Sequence, residues 1–419
     1  MRLIDSTVSR LEAELIAIRR DVHAHPELSR REHRTTALLV DRLRAAGLAP
    51  HRLPTGTGLY CDIGFGSGFG PDPRVSPEAE GPDLTARAGV VMLRADIDAL
   101  PLSDDTDAPY ASIVPGVAHA CGHDVHTVAL LGAGLALAAV AGRGRAAPSG
   151  PGVHRPATVR LVFQPAEETV PGGALDVIET GIMGPVTAAF ALHCDPAIDV
   201  GAVGLRTGPI TAAADMVDVV LSGPGGHTSR PHHTVDLVQA LATIATGLPE
   251  ALTRLVDPRA ALSVVWGRIE AGTAANAIPA AGRLSGTVRT LSRESWDLAP
   301  KLVEQLAVQL AAPYGAQVTV DYRHGVPPVV NAAAMIDTFR RAVAATLGAS
   351  AEVGVAQSLG GEDFGWYLDH TPGALARLGV RTPGGPTHDL HQGTFDVDER
   401  AIAVGARLLA VTALEQLSR

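Results

Sequence analysis

Three imidazoles, a thiol and a carboxylate lie within eight residues of this chain, in the segment His-Ala-Cys-Gly-His-Asp-Val-His at positions 119–126. Cys121 and His123 are two residues apart and precede an apolar run at 125–140 that predicts a buried helix. Side chains at such a junction can converge on one point, and thiolate and imidazole are ligands that transition metals favour. The alternative is a polar loop with a buried structural thiol, because a Cys-x-His pair alone is a weak pattern. If the segment binds metal, the remaining ligands must come from elsewhere in the chain.

Acids or a histidine follow each of three apolar segments that predict buried strands. These are Asp96 after 89–93, Glu167 and Glu168 after 158–163, and His193 after 187–192. Helical patterns at 125–140 and 174–180 separate the strands, which predicts crossover connections and a mostly parallel sheet. In open α/β sheets, sites form beyond the carboxyl ends of the strands, so we expect these side chains at one sheet edge.

The candidate donors outnumber the ligands of one metal ion. They are Cys121, His123, Glu167, Glu168, His193 and His391, the last of which precedes a helical pattern at 397–417. A single zinc takes about four ligands, so this set favours two metals, with one acid left unligated. Such sites bind a water between the ions, lower its pKa and polarise a carbonyl, while a nearby carboxylate takes the proton. Glu167 and Glu168 suit that division of labour; the alternative is an exposed acidic pair at a strand end.

A second domain is indicated by a change of pattern at residue 211. Strands are predicted at 215–221, 261–269, 283–290 and 317–322, and helices at 235–248 and 296–310. The order βαββαβ is the ferredoxin-like arrangement, an antiparallel sheet with helices on one face. We therefore expect residues 211–324 to be inserted into an α/β domain formed by 1–210 and 325–419. A capping box of Asp396 and Glu399 is expected to begin the last helix.

Composition limits the class of protein. A chain of 419 residues is too long for one ordinary core, which agrees with two domains. A net charge of -10 and the lack of a local basic stripe argue against a nucleic-acid partner. Three cysteines do not make a disulfide framework and the N-terminus lacks an apolar signal segment, which favours the cytoplasm. The run at 125–140 is shorter than the roughly 20 residues of a membrane span, so no membrane association is expected.

Other polar segments are expected to be structural. The Gly- and Pro-containing stretches 64–89 and 142–156, the latter with His154, predict surface loops. His23 and His25 lie between two amphipathic patterns, 6–20 and 30–46, and are expected in a turn as packing and capping residues.

Several ordered motifs along the chain resemble one family. They are Arg-Ala-Asp-Ile-Asp-Ala-Leu-Pro at 94–101, His-Ala-Cys-Gly-His-Asp at 119–124, Pro-Ala-Glu-Glu at 165–168, Gly-Gly-His-Thr-Ser-Arg-Pro-His at 225–232, Gly-Thr-Val-Arg-Thr at 286–290 and Gly-Gly-Glu-Asp-Phe at 360–364. With them the chain resembles the M20 family of metallopeptidases and amidohydrolases, in the branch of N-acyl amino acid amidohydrolases, hippurate hydrolase and the auxin-conjugate hydrolases. The match covers nearly the whole chain.

The resemblance implies a dinuclear manganese or zinc site, with cobalt as a further candidate. The implied ligands are Cys121, His123, Glu168, His193 and His391. It further implies that Cys121 bridges the metals, that Glu167 is the general base and that Asp96 orients the site from behind the ligands. The implied reaction is hydrolysis of the amide bond of an N-acyl amino acid or similar conjugate. A dipeptide-cleaving exopeptidase and a metal-stabilised binding protein without turnover are the alternatives.

The inserted domain has its own implied role. In the resembled family it is a lid and the dimerisation surface, and His227 would reach the active site of the partner subunit of a homodimer to stabilise the oxyanion. The alternative for His227 is a surface turn. Asn276 and Arg289 are candidates for binding a substrate carboxylate, Arg289 through a bidentate fork. Arg94 departs from other branches, which keep a metal-binding histidine there. The segments Thr169-Val170-Pro171 and Cys194-Asp195-Pro196 also depart from the family pattern, which bears on the acyl pocket.

Overall fold

A computed structural model of the chain describes residues 1–65, 89–144 and 157–418. The described helices are α1 Arg2–Ala24, α2 His33–Ala45, α3 His123–Gly144, α4 Ala174–Glu179, α5 Leu237–Leu255, α6 Arg293–Ala311, α7 Ala333–Thr346 and α8 Arg400–Leu417. The described strands are β1 Pro50–Arg52, β2 Leu59–Phe65, β3 Val90–Asp96, β4 Ala157–Gln164, β5 Val186–Asp199, β6 Val203–Leu205, β7 Gly208–Pro209, β8 Ala214–Ser222, β9 Gly226–His227, β10 Ser263–Ala271, β11 Ala277–Ile278, β12 Ala281–Arg289, β13 Gln317–Val326, β14 Val330–Asn331, β15 Glu352–Gly354 and β16 Gly373–Arg381. Most of the two predicted surface loops, with His154, lies outside the described residues.

The first compact unit comprises Met1–Gly208, Asn331–Val355 and Trp366–Arg419. Its eight-stranded sheet has the order β1-β2-β4-β3-β5-β16-β6-β15, and its central strands β4, β3, β5 and β16 run parallel. Every residue of β3 is buried, as expected for a parallel strand covered on both faces. The mostly parallel sheet predicted from the sequence is therefore confirmed.

Strand β16 was missed in the sequence. Residues Gly373 to Gly379 pair in parallel with Ala189 to Asp195 of β5, so this strand lies beside the strand that carries His193. Its sequence, Gly-Ala-Leu-Ala-Arg-Leu-Gly-Val-Arg, has a single β-branched residue and no alternation, because both faces are buried. Glycine is required at position 373, because a Cβ there would lie only 2.6 Å from the backbone oxygen of Ala189.

Helix α3 packs against α1, α8 and the sheet. By length and composition alone its segment His123–Gly142 could span a membrane, so the sequence-based argument that this run is too short is wrong. However, 67% of its most apolar stretch is buried inside the protein. The core helix of a soluble protein can have the same length and composition. Burial, not length, therefore identifies α3 as a core helix.

The second compact unit comprises Pro209–Val330 and Ala356–Gly365. Its sheet has the order β10-β12-β8-β13 with every neighbouring pair antiparallel, which is the predicted ferredoxin-like topology. Alternate residues of β8, such as Val217 and Val219, join the core formed with α5 and α6, while Met216 and Val220 are exposed. Strands β9 and β11 pair with each other in a short antiparallel ribbon. Along the chain, β9 follows β8 and β11 precedes β12.

Several helix boundaries differ from the predictions: α5, for example, ends at Leu255, seven residues later than predicted. Helix α1 extends to Ala24, so His23 lies within a helix and not in a turn. Helix α2 begins at His33, three residues later than predicted. The capping box is wrong, since Glu399 makes no side-chain cap and α8 begins at Arg400, whose backbone N–H donates to Asp398.

Candidate metal centre

The loop before α3 brings Cys121 and His123 to the carboxyl edge of the sheet. Gly122 between them has φ 86°, in the left-handed region that favours glycine. A Cβ at this position would also lie 2.7 Å from the Cys194 Sγ atom on β5. Glycine therefore allows the loop to approach β5 closely, and His123 becomes the first residue of α3.

The imidazole of His123 is held by Asp98. Its Nδ1 atom lies 3.1 Å from Oδ1 and 3.0 Å from the backbone oxygen of Asp98. Its Nε2 atom is buried without a hydrogen-bond partner, 3.7 Å from Oε1 of Glu168 and 3.8 Å from Oε2 of Glu167. A carboxylate that holds one ring nitrogen while the other stays available is the usual environment of a metal-ligating histidine.

His193 lies in the interior of β5, not after its end as predicted, because β5 continues to Asp199. Its Nδ1 atom lies 2.8 Å from the backbone oxygen of Cys194, which fixes Nδ1 as the protonated nitrogen. The other ring nitrogen, Nε2, lies 3.6 Å from Sγ of Cys121. The two sulfur and nitrogen donors thus face each other.

The Glu167–Glu168 pair leaves a tight turn after β4. Ala166 has φ 56°, and the backbone N–H of Glu168 donates to Oδ2 of Asp98 at 3.0 Å. His391, which is also left-handed with φ 60°, places its Nε2 atom 3.4 Å from Oε1 of Glu168. Such backbone conformations cost about 1–3 kcal/mol each in non-glycine residues and concentrate at functional sites.

Asp96 lies behind this cluster. Its Oδ2 accepts from Arg94 at 2.6 Å and lies 3.8 Å from Nε2 of His123, while its Oδ1 lies 2.6 Å from Nδ1 of His126. The Nε2 atom of His126 in turn accepts the backbone N–H of Cys194 at 2.8 Å. Burial alone would raise the pKa of Asp96, but His123, His126 and Arg94 outweigh it and lower that pKa well below its usual range.

The electrostatics of the donors fit a cation. Burial, and then the neighbouring Glu168, raises the pKa of the Cys121 thiol well above its usual range. Burial lowers the pKa of His123, but the charge of Asp96 and the hydrogen bond with Asp98 outweigh it and raise that pKa. A divalent cation reverses both tendencies, because it stabilises the thiolate and the neutral imidazole as ligands. Nε2 of His123 is buried without a hydrogen bond among the described residues, which leaves it available to such a cation.

Cys121 belongs to two donor groups at once. In each group the ligand atoms lie within 4.8 Å of one another: Cys121 with His123 and His193, and Cys121 with Glu168 and His391. His123, Glu167 and Glu168 form a further group. The structure therefore brings together all six donors that the sequence indicated, and Cys121, His123 and Glu168 each belong to more than one group.

The other three predicted residues lie in the second unit. His227 of β9 is exposed, and its Nδ1 accepts the backbone N–H of Ser229 at 3.1 Å. Asn276 is also exposed. Its backbone carbonyl accepts the N–H of Thr228, the residue after His227, at 3.2 Å. Arg289 ends β12 and donates to the carbonyl of Leu359. The structure thus places His227 in β9 and Asn276 immediately before β11, with Ala277 of β11 opposite His227.

Sequence reasoning missed three residues around the donors. Asp98 stands in the same Arg-Ala-Asp-Ile-Asp motif as Asp96, and His126 in the same octet as Cys121, so both were visible as candidates. Glu32 was not, because its contact with Ala166 spans 134 residues.

Thiol, imidazole and carboxylate side chains that converge at the carboxyl edge of a mainly parallel sheet are a donor set typical of metal-dependent hydrolases. Peptidase family M20/M25/M40 matches residues 92–415, and the chain belongs to this family. The chain is accordingly a metal-dependent amidohydrolase or peptidase. The predicted family is confirmed.

Individual relatives support this assignment. The chain is 45% identical over 408 residues to a Rhodococcus jostii (strain RHA1) protein named as a glutamate–cysteine ligase, covering 97% of this chain and 47% of that protein. It therefore spans about half the length of that relative. N-acetyl-L-cysteine deacetylase of Bacillus subtilis (strain 168) is 36% identical over 399 residues, covering 94% of this chain and 86% of the relative. Among solved structures, the YXEP protein of Bacillus subtilis, described as a dinuclear metal binding peptidase of the M20 family, has a TM-score of 0.80 and 31% identity, covering 98% of this chain and 99% of that one.

Proposed function

We propose that the protein hydrolyses the amide bond of N-acyl amino acids or similar conjugates at a dinuclear metal site. Cys121, His123, Glu168, His193 and His391 would hold two divalent cations, manganese, zinc or cobalt. The observation that carries the proposal is the overlap of three donor groups, Cys121 with His123 and His193, Cys121 with Glu168 and His391, and His123 with Glu167 and Glu168. The deacetylase name of the Bacillus subtilis relative supports an acyl amino acid as substrate.

Two bound cations would supply Lewis-acid polarisation of the substrate carbonyl and a water of lowered pKa. Glu167 is the general base: it takes the proton of the attacking water and returns it to the amine that leaves when the carbon–nitrogen bond breaks. Its Oε2 atom lies 3.8 Å from His123 Nε2, so the base stands beside the ligands. Asp98 keeps Nδ1 of His123 occupied, which leaves Nε2 as the ligating nitrogen.

A separate role is proposed for the second unit. We propose that residues 211–324 form a lid and the homodimer surface, and that His227 stabilises the oxyanion in the partner subunit's active site. Asn276 and Arg289 would bind the carboxylate of the amino acid. The exposure of His227 and Asn276, which lie on the two paired segments β9 and the residue before β11, supports a joint role in contacting substrate. Cytoplasmic location is supported by the three free, buried cysteines, Cys61, Cys121 and Cys194.

The second candidate function is an exopeptidase that acts on dipeptides. The solved relative described as a peptidase favours it. Both reactions use the same site and the same base, so substrate preference alone distinguishes them. An activity panel of N-acetyl amino acids, benzoyl amino acids and dipeptides, with metal-depleted protein refilled with manganese, zinc or cobalt, measures that preference and the metal together.

The decisive variants are the neighbouring Glu167→Gln and Glu168→Gln. We expect Glu167→Gln to keep its two metals and lose about 10²–10⁴-fold in kcat, because proton transfer is lost. In Glu168→Gln, by contrast, we expect the primary effect to be loss of bound metal. Normal turnover by Glu167→Gln would contradict the proposed mechanism, and no hydrolysis of any panel member by fully metallated wild-type protein would indicate a binding protein.

A further inference from the structure

The turn that carries Glu167 and Glu168 is held at its backbone by three separate contacts. The carbonyl of Ala166 accepts the N–H of Gly173 at 2.8 Å. The N–H of Glu168 donates to Asp98 at 3.0 Å. The N–H of Ala166 donates to Oε1 of Glu32 at 2.8 Å. Together these contacts fix the direction in which the two adjacent glutamate side chains leave the turn.

Glu32 reaches the turn from another part of the unit. It lies in the connection between α1 and α2, at the N-cap position of α2, and its side chain is fully buried. The same Oε1 atom also accepts the N–H of Arg30 at 2.9 Å, which holds the carboxylate in place. Nearby, Ser29 donates to Oδ2 of Asp98 at 2.6 Å. This connection therefore supports the turn twice, once directly and once through Asp98.

The contact with Ala166 lies where the backbone is under strain. A left-handed φ of 56° is unfavourable for alanine and persists where surrounding contacts enforce it. Ala166 immediately precedes Glu167, so any relaxation of its backbone rotates both glutamates. Glu167 and Glu168 have different proposed tasks, base and ligand, and a small rotation would misdirect the base.

We propose that Glu32 is a positioning residue for the general base: its carboxylate oxygen holds the Ala166 N–H and so directs Glu167 toward the reacting water. This inference rests on the proposed role of Glu167. What the contact requires is an acceptor oxygen at the reach of a glutamate side chain. Length therefore matters more than charge, which separates this role from that of an ion pair.

Three variants of the full chain, refilled with manganese, test the proposal. Glu32→Asp keeps the charge and withdraws the oxygen by one methylene, whereas Glu32→Gln keeps the oxygen and removes the charge. Glu27→Asp is the matched control, because Glu27 lies in the same connection and accepts two backbone N–H groups, those of Arg34 and Thr35, at the start of α2. The measurements are kcat, KM, metal per chain, the thermal midpoint and amide hydrogen exchange of residues 165–169.

We expect Glu32→Asp to lose about 10- to 100-fold in kcat, since a displacement of about 1 Å has that effect on a catalytic group. Its KM and its two metals should be retained, and exchange in 165–169 should be faster. Glu32→Gln should keep kcat within about threefold of the wild type. Glu27→Asp should lower the thermal midpoint and leave kcat and exchange in 165–169 unchanged.

Three results would overturn the inference. They are wild-type kcat and exchange in Glu32→Asp, an equal loss of kcat in Glu32→Gln, or loss of metal in Glu32→Asp, which would place Glu32 with the ligands instead of the base. Hydrogen exchange needs no substrate. If the wild-type protein hydrolyses none of the panel, the proposed function fails, and the exchange data still decide whether Glu32 holds the turn.

Discussion

One carboxylate, that of Asp98, contacts two proposed metal ligands: Oδ1 lies 3.1 Å from Nδ1 of His123, and Oδ2 accepts the backbone N–H of Glu168 at 3.0 Å. His123 is the first residue of α3 and Glu168 follows β4. Asp98 therefore contacts residues of two elements that are distant from each other in the sequence. Asp96, the residue selected from the family resemblance, instead contacts Arg94 and His126. Both acids therefore support the site, from different sides.

The first prediction concerns Asp98→Asn. An amide has one acceptor oxygen, so it cannot satisfy both the His123 ring and the Glu168 backbone. We expect metal affinity to fall about 10- to 100-fold, as for other losses of a carboxylate behind a ligating histidine. Chelator competition with the refilled protein measures the affinity.

Asp62→Asn is the control for Asp98→Asn. Asp62 lies in the same unit and pairs with Arg160 at 2.6 Å, between β2 and β4. Its replacement removes an ion pair without touching the donors, so metal affinity should be unchanged. Equal affinities of Asp98→Asn and the wild-type protein would contradict the role of Asp98.

The donors could be predicted because hydrophobic patterning marks the boundaries where they stand. Cys121 and His123 precede an apolar helix, and Glu167 and Glu168 follow an apolar strand. His193 shows the limit of this reasoning, because β5 continues through it in partnership with β16. A strand rich in glycine and alanine owes its place to packing against its neighbours, which local sequence does not encode.

The supporting residues could not be predicted from pattern alone. Asp98 and His123 are 25 residues apart, and Glu32 and Ala166 are 134 apart. Such contacts depend on the path of the loops at the edge of the sheet. The hydrophobic periodicity of the sequence does not predict that path. The missed left-handed conformations of Ala166 and His391 have the same origin, since tertiary contacts enforce them against local preference.

The second prediction concerns Gly173, whose N–H holds the Ala166 carbonyl. A Cβ at Gly173 would lie 1.9 Å from the backbone oxygen of Pro165, which no rotamer change relieves. We expect Gly173→Ala to destabilise the protein by about 1–3 kcal/mol and to lower turnover through the turn. Chemical denaturation and kcat measure the two effects.

Gly142→Ala provides the comparison for Gly173→Ala. Gly142 lies in α3, and among the described residues nothing lies within 4 Å of its added Cβ. There alanine should stabilise the helix by about 0.5–1 kcal/mol. Similar destabilisation by both substitutions would show that the crowding at Gly173 is not the cause.

The third prediction compares two consecutive arginines of α1. Arg19 is fully buried and donates to Asp124 at 2.7 Å, whereas the side chain of Arg20 is 47% exposed and pairs with Glu399 at 2.5 Å. Arg19→Met removes the guanidinium from the buried Asp124 carboxylate, which keeps its contacts with His23 and with the Val125 N–H, at a cost of about 3–5 kcal/mol. Arg20→Met removes a solvated pair worth about 0–1 kcal/mol. Denaturant unfolding measures both, and equal losses would contradict the buried role of Arg19.

The last prediction concerns the pH dependence of the second unit. Asp218 on β8 accepts from Ser285 at 2.5 Å, from Arg283 at 2.9 Å and from Arg323 at 2.5 Å. The Ser285 hydrogen bond, followed by the arginines, lowers the pKa of Asp218. A lowered folded-state pKa contributes stability above the unfolded value of about 3.9, and this stability is lost as pH falls through the folded pKa. Asp218→Asn should therefore cost about 1–3 kcal/mol at pH 7, and the difference from wild type should narrow below about pH 4.

Asp321 gives the matched control for Asp218, because it is its direct cross-strand neighbour on β13. The Asp321 side chain is 63% exposed, and its pairing with Arg323 at 3.3 Å is solvated. Asp321→Asn removes an exposed charge that lies opposite the like charge of Asp218. The stability of this variant should therefore stay within about 0.5 kcal/mol of that of the wild type at every pH. Urea unfolding between pH 7 and pH 3 measures both variants. A gap between Asp218→Asn and wild type that stays constant over this range would mean that packing of the Asp218 side chain, and not its charge, stabilises the sheet.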